Sequence, residues 1–168
     1  EIIGLIADSR EMALCRLQLL QLLGADLEMT ALLPESAKGW TAQQRDETMV
    51  LLLCQLGKID DAIAQAEKLN DRHFLPFCLI LASRWNELAD DAMTVVKDSE
   101  VGSEASVLAW SRILVAAERS GMKELQREAI ENLSSVAFDE SDDVRGIRWK
   151  SLAMHGQLDA AFAILDQY

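Results

Sequence analysis

The chain has 168 residues, half of them apolar and 26% charged, with a formal net charge of −12. That length suits one domain or two small ones, and the apolar content excludes disorder. Eight Gly, two Pro and three Cys exclude collagen-like and disulfide-scaffold classes, and no apolar run reaches the roughly 18 residues of a membrane span.

Ala, Leu, Glu, Gln, Met and Lys dominate and Pro is nearly absent, which is helix composition throughout. Residues 1–7 read as the tail of a preceding helix. Helices are expected at 10–23 after a Ser9 cap and at 26–33, ended by Pro34. The next spans 42–56. Thr41 and Gln44 are spaced for a capping box, and Trp40 stands where it can staple the first turn. Further helices are expected at 59–69, 74–84, 86–97, 104–119, 122–136, 142–155 and 157–167. Ser103 and Ser141 are cap candidates, and Pro76 is tolerated only in a first turn.

The helices read as pairs. Turn points fall at Gly24, Gly57, Arg84, Gly121 and Gly156, at spacings of 33, 27, 37 and 35 residues. A helix–turn–helix unit with a period of about 34 residues marks a solenoid of hairpins. First helices such as Met49–Cys54 and Phe74–Leu81 are apolar almost all round, so they need cover on several sides. Second helices such as Ile59–Leu69 have one apolar stripe and one solvated face. The expected fold is all-α: an α-α superhelix of about five antiparallel hairpins, a single domain over 1–168. The chain begins at Glu1 without a leader pattern and reads as a segment of a longer protein.

Two stretches carry a family resemblance. Gly57-Lys58-Ile59-Asp60-Asp61-Ala62-Ile63 and Gly156-Gln157-Leu158-Asp159-Ala160-Ala161-Phe162 resemble the turn and second-helix start of the tetratricopeptide repeat. The resemblance implies that Gly makes the turn, that Ile59 and Leu158 fill the gap between hairpins, and that Ala62 and Ala161 allow close helix approach. Arg84-Trp85-Asn86-Glu87-Leu88-Ala89 lacks the Gly, and Gly121-Met122-Lys123-Glu124-Leu125-Gln126 lacks the Ala.

No hydrolase, zincin, phosphate-loop or dinucleotide motif occurs, so no enzyme activity and no cofactor are expected. His73 and His155 show no metal-ligand spacing. The carboxylate clusters at Asp60-Asp61, Asp90-Asp91 and Asp139–Asp143 read as helix-start charges. Basic residues are outnumbered and scattered, which argues against nucleic acid and anionic membranes as partners. Cys15, Cys54 and Cys78 sit in apolar stretches without CxxC spacing and read as reduced core residues of a cytoplasmic chain.

The function expected from this resemblance is a non-catalytic scaffold that binds a protein or peptide segment on its concave face. The alternative is a helical regulatory or self-association domain of a larger enzyme or transcription regulator. The family's groove positions fall on Gln44, Glu47, Leu51 and Cys54 in the second unit and on Asp143, Gly146, Lys150 and Ala153 in the fifth. With Phe74, Cys78 and Leu81 of the third unit, and with Ser111, they make up the groove set; the partner-binding candidates are Gln44, Glu47, Phe74, Ser111 and Lys150. Glu47 and Leu51 stand where the carboxylate-clamp members of the family carry polar or basic residues, so a terminal carboxylate is not the expected ligand.

Overall fold

The computed structural model describes residues 41–69, 74–136 and 140–166. The expected helices at 10–23 and 26–33, the Gly24 turn, Pro34, the Trp40 staple, Cys15, His73 and Asp139 lie outside the described residues. Eight helices and no strand occur among the described residues: α1 (Ala42–Gln55), α2 (Ile59–Leu69), α3 (Phe74–Leu81), α4 (Trp85–Asp98), α5 (Glu104–Ser120), α6 (Lys123–Ser134), α7 (Asp142–Met154) and α8 (Leu158–Leu165). None of these is long and apolar enough to cross a membrane.

Side chains at the helix starts explain where three of them begin. Thr41 Oγ1 accepts the Gln44 N–H at 3.1 Å, and Gln44 Oε1 accepts the Thr41 N–H at 3.0 Å, which completes the capping box of α1. Ser103 Oγ accepts the Ser106 N–H in α5, and Ser141 Oγ accepts the Val144 N–H in α7. Each satisfies a donor that has no partner within the helix.

Four turns share one hydrogen-bond pattern. The N–H groups of Lys58, Arg84, Met122 and Gln157 each donate, at 2.9 Å, to the carbonyl five residues back: Leu53, Leu79, Ala117 and Leu152. The residue just before each is left-handed: Gly57 at φ 72°, Ser83 at 56°, Gly121 at 72° and Gly156 at 74°. This is the Schellman ending, which reverses the chain within about three residues. The carbonyls of Lys58, Arg84, Met122 and Gln157 then accept the first bond of the next helix, from Ala62, Leu88, Gln126 and Ala161.

The pattern corrects the register of the third turn. Its left-handed residue is Ser83, not Arg84, so α3 ends at Leu81 rather than 84. Trp85 then stands at the large-residue position of Ile59 and Leu158, and fully buried Leu88 stands at the position of Ala62 and Ala161.

The chain divides into two compact units, Glu1–Cys78 and Leu79–Tyr168. In the first, α1 packs on α2 through Val50, Leu52, Ala62, Ile63 and Ala66, all buried. In the second, α4 packs on α5, α5 on α6, and α7 on α8. Helix α7 also lies against both α5 and α6, so one hairpin stacks on the next. Their shared core includes Val95, Trp110, Ile113, Leu114, Leu133, Leu152 and Ile164. Helix α5 buries Ser106, Val107, Ala109, Trp110, Ile113, Leu114, Ala116 and Ala117, residues that cover about half of its circumference, and it packs against α4, α6 and α7. A helix buried on several sides is what the near-continuous apolar stretches require. The small Ala109, Ala116 and Ala117 let its neighbours approach closely.

Candidate functional site

The first-helix residues expected to meet a partner fall in both units. In the first, Gln44 is half-buried and its amide oxygen is held by the capping box. Glu47 lies one turn on, where its carboxylate accepts from Gln43 Nε2 at 2.9 Å. The same helix presents Leu51 and Cys54, both half-buried. Phe74, at the start of α3, is half-buried, and Cys78 one turn later is fully buried. Cys78 is therefore a packing residue rather than a surface one, while Leu81 on the same helix stays 48% exposed.

In the second unit the expected residues lie on α5 and α7. Ser111 is half-buried, and its hydroxyl meets that of Ser151 at 2.7 Å. Ser151 in turn donates to the Ile147 carbonyl at 2.7 Å, so Ser111 donates to Ser151 and the pair ties α5 to α7. Ser111 thus contributes to hairpin stacking. Lys150 is exposed, with its ammonium 5.7 Å from the centre of the Trp149 ring. That spacing permits a cation–π contact, which holds the Lys150 charge at the protein surface.

The second unit also holds a buried ion pair that the sequence does not announce. Arg148 Nε donates to Glu140 Oε1 and Oε2 at 2.8 Å, and Nη2 lies 2.7 Å from Oε1. Arg148 Nη1 donates to the Asn132 carbonyl at 2.6 Å and the Leu133 carbonyl at 3.4 Å. The guanidinium therefore caps the end of α6, where a positive charge is favoured. A cavity of about 150 Å³ beside it is lined by Ser106, Trp110, Asn132, Val136 and Arg148, with Val101 at its rim.

Charge also sits at the α4–α5 contact. Burial lowers the Arg112 pKa, and the Asp91 carboxylate opposes that shift. At the exposed start of α4 the Arg84 guanidinium hydrogen-bonds Glu87 and holds its carboxyl below 4.5. Near the end of α7, His155 Nδ1 meets the Glu118 carboxylate of α5.

Among the described residues no three His, Cys, Asp or Glu side chains converge as a metal site. No family model, no curated protein and no solved structure matches this chain.

Proposed function

We propose that this chain is a tetratricopeptide-like helical-repeat module that captures a partner polypeptide without chemistry. The observation that carries the reading is the fourfold recurrence of one turn, Schellman ending and helix restart included, at Gly57, Ser83, Gly121 and Gly156. Such recurrence is the signature of stacked hairpin repeats, whose first helices line the binding face. The stacking of α7 on α5 and α6 in the second unit supports it. On this reading Glu47 of α1, with Gln44 and Phe74, presents the first unit's contact surface, and Lys150 of α7, with Ser111, presents the second unit's. The free Cys54 and Cys78 suit a reducing compartment, and on this reading the module works in the cytoplasm.

The test compares faces of the second unit. A photo-crosslinking residue at Lys150 is set against one at Lys123, an exposed position on the second helix of the preceding hairpin. The reading expects crosslinks to a captured polypeptide at position 150 and few at 123; the reverse distribution overturns it.

One observation favours a second reading, self-association. Met154, Leu158 and Phe162 are 83%, 53% and 59% exposed, an apolar strip along α7 and α8. A concentration-dependent dimer dispersed by Phe162→Glu in a solution mass measurement supports that reading; a monomer at all concentrations sinks it.

A further inference from the structure

We propose that Cys54 and Cys78 are a modification site: a reversible intramolecular disulfide that staples α1 to α3. Their sulfurs lie 3.5 Å apart although the residues are 24 apart in sequence. Both belong to the first unit. Disulfide closure needs the two sulfurs brought to about 2 Å, a further approach of about 1.5 Å. The two thiols differ in access. Cys54 is half-buried near the end of α1, whereas Cys78 is fully buried in α3. That asymmetry assigns an order of events.

The oxidant is a hydroperoxide. The Cys54 thiolate attacks the peroxide oxygen; the O–O bond breaks, water or an alcohol leaves, and Cys54 becomes a sulfenic acid. The Cys78 thiolate then attacks the Cys54 sulfur, hydroxide leaves as water, and the S–S bond forms. Two thiols are oxidised by two electrons, one hydroperoxide is reduced, and both thiol protons end in the products. A dithiol reductant reverses the step by thiol–disulfide exchange. Because Cys78 already touches the sulfur that oxidises first, resolution outruns further oxidation. The crosslink removes freedom from the unfolded chain between α1 and α3 and stiffens the first unit. None of this depends on the partner-binding reading.

The experiment oxidises the full chain with hydrogen peroxide and maps its peptides without reduction. The expected map joins the Cys54 and Cys78 peptides and leaves Cys15 as a thiol. Cys15→Ser should lose both remaining thiols together, and its mass should fall by about two hydrogens. Its thermal midpoint should rise by about 5 °C on oxidation and return with dithiothreitol. Cys78→Ser should trap a dimedone-reactive sulfenic acid at Cys54. A crosslink through Cys15, a dimer bridged through Cys54, or sulfinic acid at Cys54 beside an intact Cys78 thiol would each overturn the proposal.

Discussion

Arg148 and Glu140 face each other inside the second unit, with side chains only 4% and 2% exposed and a guanidinium-to-carboxylate distance of 2.7 Å. Two charges taken out of water are costly, and mutual attraction offsets that cost only when the remaining hydrogen-bonding groups are also satisfied. Here the Asn132 and Leu133 carbonyls take the rest of the guanidinium. The pair thereby ties the loop before α7 to the end of α6.

Removing one partner should be severe. Arg148→Met leaves the Glu140 charge buried and strips the cap from α6, so it should cost about 3–5 kcal/mol in urea unfolding. Arg148→Met combined with Glu140→Leu should recover a large part of that loss, because no charge is then stranded. A double variant no more stable than the single one contradicts this account of the pair.

The third turn offers a local test of the repeat register. Ser83 occupies a left-handed conformation at φ 56°, which costs a residue with a side chain about 1–2 kcal/mol. Glycine returns part of that gain through the entropy of the unfolded chain. Ser83→Gly should therefore stabilise the chain by up to about 1 kcal/mol in thermal unfolding. Arg84→Gly should destabilise it, since Arg84 has negative φ and an ion pair with Glu87. Conversely, Gly121→Ala should cost about 1 kcal/mol; nothing lies within 4 Å of the added carbon, so backbone strain alone sets the cost.

The helices were legible because each signal was local. Apolar spacing, Thr41, Ser103 and Ser141 caps, and Gly57, Gly121 and Gly156 turns each act within about one turn of helix. The Ser83 turn was displaced by one residue because a serine stands where the sequence pattern looks for glycine. Long-range pairing was not legible. Arg148 reads as one more surface cation until α6 is folded against it, and Cys54 gives no sign of Cys78. Of the expected binding residues, Lys150 is exposed, whereas Ser111 is engaged with Ser151, a contact 40 residues away in sequence.

Acid titration reports on the same third turn. The Arg84 hydrogen bond depresses the Glu87 pKa, so the pair's stabilisation is present above pH 4.5 and is lost as pH falls through the lower folded value. An NMR titration should place the Glu87 midpoint below 4.5, and Arg84→Ala should move it upward. The pair is solvent-exposed, so overall stability should change little.

The proposed capture of a polypeptide by the first helices is tested by the affinity of the full chain for a captured partner, with Lys150→Glu and Glu47→Lys introduced separately and Lys123→Glu as the second-helix control. We expect at least one of the first-helix charge reversals to weaken binding about tenfold or more at unchanged thermal midpoint, with Lys123→Glu near neutral. Undiminished binding in both first-helix variants, together with loss in Lys123→Glu, would contradict the account.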